Sequence, residues 1–342
     1  MFCWERHPEL IASPQTSDAL NKLFYNPLRK EYVLLHRGAF ADRRIFVRSS
    51  KDLRQWSEPH IMLQPGPNYN DEFTAMQHYS MTADYFDGIF YGLVWRYHTE
   101  LDGLDYSRMY GYMEPELVYS YDGSEFLYTT GKALIERPYP PAPGCAGLSP
   151  QDMCESRDGK QYFILCSGSL FEHGAWNTTE RLKEMKKHAA VTEGNPVYQI
   201  RKDGFCGIES IGSGGLVITK GLSLESPALS YNIRANCGTA RFGIMDIEGH
   251  YLPGFSLDDS VPFSYDDAVE HTPVWREHKL AEILGRQVRL VVELNNAILH
   301  CITAVARPFV RQKQQSFAHP EGIKNEDPAQ REEYHFSGQF NR

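Results

Sequence analysis

The sequence predicts an all-β chain in which a β-propeller is followed by a β-sandwich of jelly-roll type. Three observations point to this fold class. Short runs rich in aromatic and β-branched residues follow one another closely up to about Asp203, and turn residues separate them. Aromatic residues make up 13% of the 342 residues, which suits many short strands better than long helices. Beyond Asp203 the runs become longer and alternate apolar with polar residues, as sandwich strands do.

The turns of the first part carry strong local signals. Three Asp-Gly pairs each stand between apolar runs, at Asp87-Gly88, Asp122-Gly123 and Asp158-Gly159, and this pair is a strong short-range hairpin signal. Helical patterning is clear only at Thr178–Val191 and at His278–Gly285.

One strand–turn–strand motif occurs twice, as "RSSKDLRQWSEP" and as "YSYDGSEFLYTT". In each copy a Ser-x-Asp sequence follows a strand, and an aromatic residue, Trp56 or Phe126, stands four positions after the Asp. We expect Asp52 and Asp122 to accept hydrogen bonds from backbone N–H groups two and three residues on, as Asx turns do. One such turn in the outer hairpin of each blade predicts a propeller with irregular insertions. Two chance hairpins in a β-rich chain are the alternative.

These patterns divide the chain into three predicted parts. We expect residues 1–203 to form the propeller and catalytic domain, residues 204–306 the sandwich, and residues 307–342 a polar tail that is extended, disordered or wrapped on a neighbouring chain.

Charge and motif content exclude several function classes. The net charge of −9 and the lack of a basic stripe argue against nucleic acid or an anionic membrane as a partner. Seven scattered cysteines without C-x-x-C spacing predict free thiols, no metal site and a cytoplasmic location. No phosphate-binding loop or dinucleotide fingerprint is present, so we expect no cofactor. A homo-oligomer is possible.

Carboxylates near the first strand of each expected blade are the candidate catalytic groups, because propellers place function where their innermost strands converge. Asp18 precedes the first strong strand, Glu72 precedes the strand with Gln77 and His78, and Glu114 and Glu116 alternate on one strand. Hydrolysis of a glycosidic bond needs one protonated and one ionised carboxyl group. With 44 acidic residues in the chain, several such positions are also expected by chance.

Four further residues are candidates for binding sugar hydroxyls. Trp95 and Arg96 lie in "GLVWRYH", Arg37 ends the strand "YVLLHRG", and His173 follows "YFILCSGS". The same residues at strand spacing are equally compatible with ordinary core packing.

The order of "SDALNKLFYNPLRKEYVLLHR", "RSSKDLRQWSEP", "PELVYSYDGSEF" and "DGKQYFILCSGSLFEHG" resembles the propeller glycosidases related to glycoside hydrolase families 32 and 43. The likeness is closest to bacterial members whose propeller leads into a small β-sandwich. It implies five blades and three acids around the axis, which correspond here to Asp18, Glu72 and Glu114, with Glu116 as the substitute for Glu114. It also implies that His173 lies near the site.

Together these features predict a glycoside hydrolase of a small or partly degraded glycan. Glu114 is the expected general acid, Asp18 the base or nucleophile, and Glu72 the group that tunes or orients them. A non-catalytic carbohydrate-binding propeller and a glycoside phosphorylase on the same scaffold are the alternatives.

Overall fold

The computed structural model describes residues 7, 17, 19–38, 43–63, 76–100, 110–174, 180, 183–184, 187, 193–212 and 214–308. The chain divides into two compact units, Met1–Phe205 and Cys206–Arg342. Each unit has its own hydrophobic core and is described separately.

The first unit begins with a four-stranded antiparallel meander. Its strands are β1 (Lys22–Asn26), β2 (Glu31–Arg37), β3 (Ile45–Ser50) and β4 (His60–Leu63), paired in sequence order. We call this sheet meander 1. Such order is the topology of a propeller blade.

Two further meanders follow. Meander 2 contains β5 (Met76–Phe86), β6 (Ile89–Glu100), β7 (Tyr110–Ser120) and β8 (Leu127–Ala133). Meander 3 contains β9 (Gly147–Glu155), β10 (Gln161–Ser169), β11 (Glu193–Gly194) and β12 (Val197–Arg201), in which β9, β11 and β12 all pair with β10. One parallel pairing, Met113 with Gly147, joins β7 to β9.

Separate apolar clusters lie between successive meanders. One cluster joins meander 1 to meander 2 and includes Phe24, Val47, Val94 and Phe126. A second joins meander 2 to meander 3 and includes Leu93, Leu148 and Tyr162. Sheets that stack face to face through such layers form the core of a propeller.

The predicted turn chemistry is confirmed. The Asp52 Oδ1 atom accepts hydrogen bonds from the backbone N–H groups of Arg54 and Gln55, both at 2.8 Å. Asp122 Oδ1 accepts in the same way from Ser124 at 2.8 Å and Glu125 at 3.1 Å. The two turns connect β3 to β4 and β7 to β8, so both occupy the outer hairpin of a meander, as expected. The Asp87-Gly88 and Asp158-Gly159 pairs connect β5 to β6 and β9 to β10.

The described residues of the second unit form eight strands around one apolar core. Its sheet has the order β13-β20-β15-β19-β16-β17, with β14 paired to β19 and β18 paired to β15. The core holds buried side chains such as Phe242, Phe255 and Trp275. The strands are β13 (Ile208–Ser210), β14 (Gly215–Ile218), β15 (Leu222–Arg234), β16 (Thr239–Asp246), β17 (Phe263–Ser264), β18 (Asp267–His271), β19 (Gln287–Asn295) and β20 (Ala297–Pro308).

The all-β prediction is confirmed, with propeller-type meanders first and the sandwich strands after them. The described residues of the first unit form three meanders, against the five blades that the resemblance implies. At the predicted helix His278–Gly285 only a short 3₁₀ helix forms, Leu280–Ile283. In the other predicted helix the described residues Glu180, Lys183, Glu184 and Lys187 are helical. Among the described segments, no helix has the length and apolar character that a membrane span requires. Most of the predicted tail, residues 309–342, lies outside the described part.

Candidate active site

Two of the three predicted catalytic acids, Asp18 and Glu72, lie outside the described residues. The other predicted site residues are all described. Glu114 and Glu116 are on β7, Trp95 and Arg96 on β6, Arg37 at the end of β2, and His173 after β10. They form two clusters in the first unit.

The first cluster is centred on the guanidinium group of Arg96, a residue that is only 8% exposed. Arg96 Nη2 donates to Glu114 Oε1 at 2.6 Å, and Arg96 Nη1 donates to the Gly131 carbonyl oxygen at 2.5 Å. Arg96 Nη1 also lies 3.6 Å from Glu116 Oε2. The register explains this contact, because Arg96 pairs with Glu114, and Val94 with Glu116, across the β6–β7 ladder. One cation therefore neutralises two carboxylates from alternate residues of the next strand.

His98 completes the cluster. Its Nε2 atom lies 3.0 Å from Glu114 Oε1 and also 3.0 Å from Arg96 Nε. One imidazole nitrogen cannot donate to Glu114 and accept from Arg96 at the same time. With the proton on Nε2, His98 donates to Glu114 Oε1; with the proton on Nδ1, Nε2 instead accepts from Arg96 Nε.

The electrostatic balance favours an ionised Glu114. Burial alone would raise the pKa of Glu114, but hydrogen bonds from His98 and Arg96, with their charges, outweigh it and hold the pKa below its ordinary value. His78 of β5 lies opposite Arg96 of β6 in the strand register. Burial, and to a smaller extent the positive charge of Arg96, lowers the pKa of His78 to about 3. An ionised carboxylate fits a base, nucleophile or orienting group better than the general acid expected from the sequence.

Glu116 occupies a different environment from Glu114. Its side chain is fully buried, and Arg96 is its ion-pair partner. A buried carboxylate is strongly destabilising unless a cation compensates it. This placement indicates a structural ion pair, and direct contact between Glu116 and a ligand would need a rearrangement.

The second cluster contains Arg37, Trp95 and His173, brought together by Tyr79 of β5. Tyr79 stacks on Trp95 with ring centroids 6.2 Å apart, and the Arg37 guanidinium carbon lies 5.1 Å from the Tyr79 ring centroid. Trp95 Nε1 donates to the Pro150 carbonyl oxygen at 2.6 Å, and the residue is only 7% exposed. Trp95 is therefore the buried member of this stacked pair, and Tyr79 is the more exposed of the two rings.

The two clusters lie on opposite faces of meander 2. Successive side chains of a strand point to opposite faces, so Trp95 and Tyr97 face one way while Arg96 and His98 face the other. Apolar neighbours agree with this, because Val94 packs toward meander 1 and Leu93 toward meander 3. The structure thus brings Arg96, Glu114 and Glu116 together, and Arg37, Trp95 and His173 together, without placing all six on one surface.

Two residues of these clusters, Tyr79 and Arg43, are not among the sequence candidates, whereas Tyr97 and His98 lie in the stretch "GLVWRYH" that predicts a sugar-binding platform. Tyr79 and Tyr97 contact His173, Arg43 lies 5.1 Å from the Tyr97 ring centroid, and His98 contacts Glu114. Strand alternation in "WRYH" was a usable signal for His98 and Tyr97. Tyr79 had none, because it lies in an irregularity between His78 and Met81 where the β5–β6 register shifts.

A third polar cluster joins the first strands of the three meanders. Lys22 Nζ of β1 lies 3.0 Å from Asp84 Oδ2 of β5 and 2.5 Å from Asp152 Oδ1 of β9. Burial raises the pKa of Asp84 to about 6, the negative charge of Asp152 adds to this, and Lys22 partly offsets it. The cluster therefore links the first strands of the three meanders.

Cysteine thiols and other possible metal ligands occur among the described residues. No group of three or more His, Cys, Asp or Glu side chains among the described residues could hold a metal ion. The six described cysteines are free, and burial raises the pKa of the Cys166 thiol to about 12. A thiol in that state is a poor nucleophile.

No protein-family model matches the chain, and no curated protein matches it. Among solved structures, an endo-arabinase of Bacteroides thetaiotaomicron is 13% identical, with a TM-score of 0.33 over 79% of this chain and 98% of that one. A family 32 β-fructofuranosidase of Bombyx mori is 12% identical, with a TM-score of 0.31 over 89% of this chain and 69% of that one. An N-acetylgalactosamine deacetylase of F. plautii is 15% identical, with a TM-score of 0.33 over 46% of this chain.

The match spans 43% of the deacetylase chain and 44% of a second structure described as a glycoside hydrolase. At these TM-scores the likeness carries no inference about activity, which we argue from the side chains of this chain.

Proposed function

We propose that the chain is a glycoside hydrolase acting on a small or partly degraded glycan. The observation that carries the proposal is the pairing of Glu114 with Arg96 and His98, which keeps a partly buried carboxylate ionised. A glycosidase needs one such carboxylate beside a second carboxyl group that retains its proton. We assign the ionised role to Glu114 and the protonated role to Asp18 or Glu72.

A second candidate function is carbohydrate binding without catalysis. The observation that favours it is that Glu116 is completely buried beside the guanidinium group that also binds Glu114. An Arg96–Glu114–Glu116 network of this kind can have a purely structural role. A phosphorylase is less well supported. Arg96, one of the cations available for phosphate, is already engaged by two carboxylates.

The test is hydrolysis of a panel of p-nitrophenyl glycosides by the wild type and by Glu114→Gln, Asp18→Asn and Glu72→Gln. Glu125→Gln is the matched control, because the Glu125 side chain is exposed on the β7–β8 turn. We expect Glu114→Gln and one other variant to lose about 100-fold or more in kcat, the loss typical of removing a proton-transfer group, while Glu125→Gln keeps wild-type rates.

Three other outcomes separate the alternatives. Turnover that requires inorganic phosphate indicates the phosphorylase. Sugar binding without turnover, unchanged in Glu114→Gln, indicates the binding protein. Hydrolysis that survives all three acid substitutions contradicts the assignment of the site.

A further inference from the structure

His173 is held by four hydrogen bonds from neighbouring strands. Its Nε2 atom lies 3.1 Å from the Tyr79 hydroxyl oxygen, and its Nδ1 atom lies 3.0 Å from the Tyr97 hydroxyl oxygen. Its backbone exchanges two hydrogen bonds with Gly111 of β7, at 2.8 and 3.3 Å. Both tyrosine rings meet the imidazole edge-on with centroids 5.1 Å apart. The imidazole ring therefore has one orientation.

The direction of the hydrogen bonds follows from the chemistry of the imidazole. A neutral imidazole has one N–H donor and one acceptor nitrogen, so one tyrosine must donate to His173 and the other must accept from it. Tyr97 is fully buried, and burial raises its pKa to about 12, so it keeps its proton. A buried hydroxyl group directs its proton to a protein acceptor, and His173 Nδ1 is one at 3.0 Å.

If Tyr97 donates to Nδ1, the imidazole proton is on Nε2 and is donated to the Tyr79 oxygen. The proton of Tyr79 is then left to point away from His173. Tyr79 is half-buried, whereas Trp95 and Tyr97 are buried. Because Trp95 stacks on the Tyr79 ring and Arg37 lies near it, the hydroxyl group is the part of Tyr79 that can meet a ligand.

We infer that Tyr79 is a ligand-contacting residue, which donates its hydroxyl proton to a carbohydrate oxygen, with His173 and Tyr97 as the positioning residues that aim it. The class of ligand rests on the proposed function. The direction of the hydrogen bonds does not.

Gly111 is the structural requirement for this arrangement. A Cβ atom at position 111 would lie 2.0 Å from the His98 carbonyl oxygen and 2.7 Å from the Tyr97 ring. Any side chain there must push β7 away from β6, and with it the backbone that holds His173. Gly147 offers a matched control, because its nearest contact for a Cβ atom would be Ser169 Cβ at an ordinary 3.8 Å.

The first experiment is ¹⁵N NMR of the His173 imidazole in the whole chain, with His173→Gln used to assign the signals. In the wild type we expect one neutral tautomer with the proton on Nε2. Tyr97→Phe and Gly111→Ala should abolish this preference, and Tyr79→Phe and Gly147→Ala should retain it. A proton on Nδ1, or fast exchange between tautomers in the wild type, overturns the hydrogen-bond direction whether or not the chain binds sugar.

The second experiment is isothermal titration of the same variants with methyl glycosides. Tyr79→Phe should weaken binding about 10-fold, the loss of one hydrogen bond of about 1.4 kcal/mol. Binding that is unchanged in Tyr79→Phe overturns the assignment of Tyr79, while the wild type still supports a carbohydrate function. Failure of the wild type to bind any glycoside overturns the proposed function and the ligand class. The NMR measurement of the His173 tautomer still tests the hydrogen-bond direction in that case.

Discussion

The Asp84→Asn substitution should stabilise the first unit at neutral pH. Asp84 has a pKa of about 6 in the folded protein, against an ordinary value of 3.8, chiefly because it is buried. Each pKa unit corresponds to about 1.36 kcal/mol, so ionisation of Asp84 costs the folded state about 3 kcal/mol above pH 6. Asparagine avoids this cost, and its carbonyl oxygen can still accept from Lys22.

The sign of the pH dependence follows from proton binding. Between about pH 4 and pH 6 the folded state holds the Asp84 proton more tightly than the unfolded state does, so this group stabilises the fold at low pH and loses that contribution as pH rises through 6. Lys22 stays charged throughout. Its burial alone would lower its pKa, but hydrogen bonds and charges from Asp152 and Asp84 raise it.

Urea denaturation of the wild type and Asp84→Asn between pH 4 and 8 measures the effect. The free energy of unfolding of Asp84→Asn, relative to the wild type, should grow by about 3 kcal/mol across this range and level off above pH 6. Asp122→Asn is the control of opposite sign. Although burial opposes it, hydrogen bonds from Ser124, Glu125 and Ser120 lower the pKa of Asp122, so its stabilisation is lost on acidification. A difference for Asp84→Asn that is flat with pH refutes the reasoning.

Two further substitutions test the contacts between the meanders and within them. Asn26→Ala should destabilise the first unit by about 1–3 kcal/mol, because the buried Asn26 side chain donates to the Asp122 carbonyl oxygen at 2.7 Å and accepts from two backbone N–H groups. Thermal denaturation measures this loss, with Asn21→Ala, at an exposed position, as the control. Equal effects of the two substitutions would contradict the role of Asn26. Arg96→Met should cost about 3–5 kcal/mol by leaving Glu116 buried without its cation, and the double variant Arg96→Met/Glu116→Gln should recover much of that loss in the same assay.

The parts of the fold that could be predicted from sequence are those set by neighbouring residues. The Asx turns at Asp52 and Asp122 depend only on a carboxylate and the N–H groups two and three residues on, so the motif alone specified them. The Asp84 cluster could not be predicted, because Lys22 is 62 residues from Asp84 and 130 from Asp152. Only the stacking of separate sheets brings these groups together.

The candidate site shows a different limit of prediction from sequence, namely which face of the sheet each side chain occupies. The stretch "GLVWRYH" predicts both Trp95 and Arg96 as sugar-binding residues. Strand alternation places adjacent residues on opposite faces, and here one face neutralises buried acids while the other fixes a tyrosine hydroxyl through His173.

This division constrains the chemistry that meander 2 can supply. A glycosidase needs two carboxyl groups with different pKa values. Of the two on β7 only Glu114 is partly accessible, and although burial opposes it, His98 and Arg96 hold the pKa of Glu114 low. Glu116 is fully buried against Arg96 and would need a rearrangement to reach a ligand. The proton donor in the proposed reaction therefore has to come from another strand, and Glu114→Gln should remove the ionised partner while leaving the donor's own pKa in the pH–rate profile.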